Sequence, residues 1–80
     1  LAADAETVLI VDYKTNRDPP ATAEATPPAY LRQMALYREA MRGAFPGRAV
    51  RTALLWTETP DLMALPDSLL DAALAGLKAA

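Results

Sequence analysis

Four prolines, Pro19, Pro20, Pro27 and Pro28, fall with Asn16 and Asp18 in one stretch from Thr15 to Pro28. A backbone with so many fixed φ angles and missing N–H donors sustains neither a helix nor a sheet ladder. The stretch (residues 15–28) is therefore read as a loop, and it separates two elements of opposite character. Before it, Val8-Leu9-Ile10-Val11 is a continuous apolar run rich in β-branched residues. That is the pattern of a strand lying centrally in a sheet and covered on both faces. After it, Thr26 is positioned to cap a helix whose first residue is Pro27, which needs no intrahelical donor there. The helix is predicted to run to about Arg42. Its apolar residues Tyr30, Leu31, Met34, Tyr37 and Met41 recur at three- and four-residue steps, while Arg32, Glu39 and Arg42 fall on the other side.

Gly43, Pro46 and Gly47 turn the chain. Ala49 to Thr57 then reads as a second strand through Val50, Thr52, Leu54 and Trp56, and Leu62 to Leu65 as a short third one after the Glu58-Thr59-Pro60-Asp61 turn. Asp67 or Ser68 caps a last helix with Leu70, Ala73, Leu74 and Leu77 on one stripe. At the other end, Leu1 to Ala3 has the look of the tail of an element, and Asp4-Ala5-Glu6 of a turn. The order strand, helix, strand, strand, helix implies an α/β fold with a mixed sheet and two helices.

Composition narrows the chemistry. Eighty residues make one domain at most, with a marginal core. There is no cysteine and no histidine, which excludes disulfides, thiolate metal sites and imidazole catalysis. Catalysis, if any, rests on carboxylates, Lys, Tyr or a metal ion. No apolar run approaches the roughly 20 residues that cross a bilayer, and no signal segment opens the chain, so no membrane partner and a cytoplasmic location are expected. A net charge of −2 argues against a free-standing DNA-coating protein. Much of the basic charge nevertheless lies between Lys14 and Arg51, as either a phosphate-facing or a solvated surface.

Two constellations carry possible chemistry. Asp12-Tyr13-Lys14 sits where the buried strand meets the loop, and residues two apart share a face, so Asp12 and Lys14 leave the sheet together about 7 Å apart along the strand. A carboxylate that binds Mg²⁺ beside an ammonium that stabilises charge suits phosphodiester hydrolysis; an ordinary charged strand end has the same appearance. Gln33 and Tyr37 are one helical turn apart and neighbours on one face. An amide and a phenol there can hold water, a carboxylate or a phosphate, or Tyr37 can simply be a core residue with its hydroxyl at the edge.

Taken in order, the run VLIVDYKTNR, the proline-containing loop and the helix YLRQMALYREAM resemble the RecB/AddA branch of the PD-(D/E)xK nucleases, whose hallmarks are a D-Y-K strand end and a downstream Q-x-x-x-Y helix. The continuation TALLWTETPDLMALPDSLLDAAL is similar to the extreme C-terminal region of AddA-type subunits, so the resemblance covers nearly the whole chain.

The resemblance implies a restriction-endonuclease-like fold, of which residues 1–80 form the C-terminal portion of a single nuclease domain whose upstream part is absent. It implies metal-dependent cleavage of DNA within an ATP-dependent helicase-nuclease that processes double-strand breaks, with DNA and a second subunit as partners. Asp12 matches a metal-binding acid, Lys14 the catalytic lysine, and Gln33 and Tyr37 the pair that supports the site and contacts DNA. The backbone carbonyl of Tyr13 is the implied further ligand of Mg²⁺ or Mn²⁺. Asn16 and Arg17 continue the motif as candidate DNA contacts, although solvent-facing loop charge also explains Arg17. The pattern requires another Asp on a preceding strand, and Asp4 and Glu6 lie in the expected turn instead. The missing acid is expected upstream of Leu1, the metal site to be incomplete, and the fragment to be inactive alone and to self-associate through an unpaired strand edge. The alternative is a non-catalytic nuclease-like module that binds DNA or scaffolds a subunit. Trp56 reads as core, and Arg48 and Arg51 as edge protection or DNA-flanking charge.

Overall fold

The computed structural model describes residues 2–3 and 6–79. Its elements are β1 (Ala2–Ala3), β2 (Thr7–Lys14), a 3₁₀ turn (Ala23–Ala25), α1 (Pro28–Ala44), β3 (Ala49–Trp56), β4 (Asp61–Leu65) and α2 (Asp67–Ala79). The strands form one mixed sheet in the order β1-β2-β3-β4. β2 and β3 are parallel, joined through α1, while β1 and β4 run antiparallel to their neighbours. This is the α/β architecture with two helices that the hydrophobic periodicity predicts. The Asp4-Ala5 part of the expected first turn lies outside the described residues.

Register decides which residues share a face. Val8 pairs with Val50, Ile10 with Thr52, Asp12 with Leu54 and Lys14 with Trp56. Across the next ladder Thr52 meets Leu65 and Leu54 meets Met63. These residues therefore point to one side of the sheet, where Met34 and Ala35 of α1 and Leu70 of α2 complete the core. Val8, Met34, Leu54, Trp56 and Leu70 are fully buried. Each such large side chain contributes roughly 1.5–3 kcal/mol through removal from water.

The expectation that β2 is covered on both faces is corrected. Both helices pack on one side, so Leu9, Val11 and Leu55 on the reverse are only half-buried, and Tyr13 and Leu62 are exposed. A continuous apolar run fixes strand propensity, but whether a second layer covers it depends on what else packs there. β1 pairs only with Val8 and Leu9, so from Ile10 onward the outer edge of β2 has no strand beside it among the described residues.

The start of α1 is also corrected. Pro27 is the capping residue, with φ −52° and ψ 134°, and Pro28 is the first helical residue. The reason is steric: the ring of Pro28 pushes the residue before it out of the α region, so Pro27 cannot be helical. Tyr30 N–H and Leu31 N–H donate to the Pro27 carbonyl at 2.9 and 3.3 Å. Thr26, expected as the cap, is instead buried, and its Oγ1 donates to Met63 Sδ at 3.8 Å, tying the loop to β4. The helix continues past Gly43 to Ala44, where Phe45 N–H closes on the Met41 carbonyl at 2.8 Å. Gly47 then turns the chain at φ +84°, a conformation that favours glycine.

The two helices are fastened by a residue that periodicity alone leaves out. Arg38 is fully buried on α1. Its Nη1 donates to the carboxylate and backbone carbonyl of Asp67 at 3.2 and 3.3 Å, its Nη2 to Asp71 at 2.8 Å, and its Nε to Glu39 at 3.2 Å. Burial by itself lowers the pKa of the guanidinium, but its hydrogen bonds to Asp71 and Asp67 and the charges of Asp71 and Glu39 outweigh it, leaving the pKa above its ordinary value. Asp67 is the first residue of α2, so its carboxylate meets Arg38 at the helix end where negative charge is favoured. Among the described residues no helix is long and apolar enough to cross a membrane.

Candidate functional site

The helix-facing side of β2 changes chemistry along its length. Val8 and Ile10 enter the core, while Asp12 and Lys14, two and four residues further on the same face, emerge at the carboxyl end of the strand. That end of the strand is pinned: Thr57 N–H and Thr57 Oγ1 both donate to the Lys14 carbonyl, at 2.9 and 3.2 Å. Parallel strands open ligand crevices beyond their carboxyl ends, and this is where the polar residues collect.

Lys14 is the centre of the cluster. Its ammonium lies 2.7 Å from Asp12 Oδ2 and donates to Gln33 Oε1 at 2.9 Å. It also sits 4.2 Å from the centroid of the Tyr30 ring. From Gln33 the chain of bonds continues, with Nε2 donating to the Tyr37 hydroxyl at 3.2 Å. The structure thus joins Asp12, Lys14, Gln33 and Tyr37 in one hydrogen-bonded series. The amide orientation follows from chemistry: an ammonium can only donate, so Gln33 Oε1 faces Lys14 and Nε2 faces Tyr37. The phenol oxygen then accepts, and its own proton is left to donate outward.

Exposure grades along the series. The Lys14 side chain is 13% exposed and that of Asp12 32%, while Tyr37 is 44% exposed. The cation is sheltered and the carboxylate and phenol are reachable from solvent. Asn16 accepts from the Tyr30 hydroxyl at 3.2 Å and so belongs to the frame of the cluster. Arg17 is exposed and carries no ion pair among the described residues. The side chain of Tyr13 projects to the opposite face and is 68% exposed. Trp56 lies in the core as expected, with its ring centroid 6.2 Å from that of Tyr30.

Two contributors escaped the reading of the sequence. By periodicity Tyr30 belongs to the apolar stripe, although positions 30, 33 and 37 share one helical face, a spacing that marks it as well. Thr57 carries no local signal, because its role depends on the β2–β3 register. Among the described residues no three Asp, Glu, His or Cys side chains come together. A divalent ion such as Mg²⁺ requires about six oxygen ligands. Asp12, with one oxygen already against an ammonium, is too sparse a donor set to fit such an ion.

No family model, curated protein or solved structure matches this chain.

Proposed function

We propose that this chain contributes the lysine and tyrosine half of a DNA phosphodiester-hydrolysing site of the RecB/AddA nuclease kind. The observation that carries the reading is the unbroken series Asp12–Lys14–Gln33–Tyr37, which links a strand end to a helix face across 19 positions of sequence. The D-Y-K and Q-x-x-x-Y motifs supply the resemblance, and the geometry supplies a reason for them to occur together.

Hydrolysis of a phosphodiester builds negative charge on the phosphoryl oxygens, so a site needs donors fixed where that charge develops. Lys14 offers a charged donor held by Asp12 and Gln33. Tyr37 offers a neutral donor whose lone pair is already taken by Gln33, which leaves its O–H to face an incoming phosphate oxygen. Gln33 couples the two, since rotating its amide would break both bonds. A bound Mg²⁺ or Mn²⁺ would supply Lewis-acid chemistry at the phosphate. The described residues do not complete a site for such an ion. Asp12 and the Tyr13 carbonyl are the ligands this chain is proposed to lend to it. DNA is the proposed substrate and a second helicase-nuclease subunit the proposed partner.

The test is cleavage of linear and supercoiled DNA with Mg²⁺ or Mn²⁺ by the whole protein that bears this chain, comparing wild type with Asp12→Ala. Cleavage is expected to disappear while DNA binding, which draws on many phosphate contacts, persists. Wild-type cleavage by the Asp12→Ala protein sinks the reading, and binding without cleavage in the wild type favours the non-catalytic module.

A further inference from the structure

We infer that Tyr30 is a positioning residue for the Lys14 ammonium, acting through the face of its ring. An ammonium has three N–H bonds, and two are directed to Asp12 Oδ2 and Gln33 Oε1. The Tyr30 ring lies against the same ammonium, 4.2 Å from Nζ to the centroid. The negative face of an aromatic ring attracts a cation at that distance, and it does so without competing for an acceptor. Two oxygen partners and one ring thus hold the ammonium.

The ring is itself held. Its hydroxyl donates to Asn16 Oδ1 at 3.2 Å, two residues beyond Lys14, and one side leans on the buried Trp56 ring at an interplanar angle of 43°. Trp56 is the register partner of Lys14, so the residue beside the lysine on the neighbouring strand buttresses the ring that lies against its ammonium. Leu at position 30 would keep an apolar contact with the core but offer no negative face. The inference deepens the proposed function and rests on it only for its consequence in cleavage, which is a lower rate at saturating DNA with unchanged DNA binding.

The experiment needs neither DNA nor metal, so its outcome is independent of whether the protein is a nuclease. The chain has two lysines, Lys14 and Lys78, which gives every measurement an internal reference. In the first arm, the side-chain methylene protons of Lys14 are compared with those of Lys78 by NMR of lysine-labelled protein. The ring predicts an upfield displacement of Lys14, retained in Tyr30→Phe and lost in Tyr30→Leu. In the second arm, competitive acylation with peptide mapping by mass spectrometry gives the Lys14:Lys78 reactivity ratio. Tyr30→Leu is expected to raise it roughly three- to tenfold, and Tyr30→Phe to leave it within about twofold of wild type. Lys14 methylene shifts that are the same in the wild type and in Tyr30→Leu overturn the inference. So does an unchanged ratio in Tyr30→Leu, or an equal rise in Tyr30→Phe, which would assign the effect to the hydroxyl and Asn16.

Discussion

Helix α1 engages a cation on each of two sides, and the two are treated differently. On one side Lys14 meets one carboxylate, one amide and one ring, and keeps 13% of its side chain exposed. On the other, Arg38 is sealed completely and shared among Glu39, Asp67 and Asp71. The Lys14 partners include neutral groups and lead outward to an exposed phenol. The Arg38 partners are carboxylates on both helices, so they join α1 to α2. Ion pairing by itself therefore says little about function; the identity and exposure of the partners separate a site from a fastening.

The contrast is sharpest at Asp12 and Lys14. If the Lys14 side is the site, Asp12→Ala abolishes cleavage and Lys14→Ala lowers its rate by about 10²–10³, the typical effect of removing a donor aimed at developing charge. Rates normalised to folded protein check this, and a Lys14→Ala rate equal to wild type would erase the distinction between the two cations.

Arg38→Met should do the reverse. Its hydrogen bonds to charged groups are lost, but Asp67 and Asp71 are largely exposed and return to water, so the expected destabilisation is about 1.5–3 kcal/mol by urea unfolding. The rate per folded molecule should stay within about twofold, since the residue touches nothing in the polar series. Because the pKa of Arg38 is raised, its contribution to stability is fully present below the unfolded-state value and is lost only as pH rises through the still higher folded value. The fastening should accordingly hold unchanged around neutral pH, and a wild-type-minus-Arg38→Met stability difference that varies between pH 6 and 9, roughly the range where arginine does not titrate, would contradict it.

Tyr37→Phe probes the outward end of the series. It deletes one donor and keeps the packing, so a rate loss of roughly three- to tenfold is expected, smaller than that of Lys14→Ala. A larger loss would promote the phenol from supporting donor to principal one.

The smallest effect belongs to a polar atom in neither network. Thr52 Oγ1 is buried without a hydrogen-bond partner among the described residues, flanked on the sheet by Ile10 and Leu65. Thr52→Val preserves the shape and removes the unpaired hydroxyl, and should stabilise the fold by up to about 1 kcal/mol in thermal or urea unfolding with no change in cleavage. Destabilisation there would mean that the hydroxyl has a partner after all.

Local sequence determined a good deal. The β-branched run before Asp12 reads as a strand, the proline-containing stretch after Thr15 as a break, and the three- and four-residue apolar steps beyond it as a helix. Strand periodicity put Asp12 and Lys14 on one face, and helix periodicity put Gln33 beside Tyr37, because both relations span a few residues of fixed geometry. What tertiary structure alone decided are relations between segments. Whether the Gln33 face turned toward Lys14, whether a second layer covered Leu9 and Val11, and whether Arg38 was sealed between helices all depended on packing angles that no local pattern encodes. Arg38 shows the reason most plainly: in sequence it is one more charge on a helix, and only the approach of α2 with Asp67 and Asp71 makes its burial affordable.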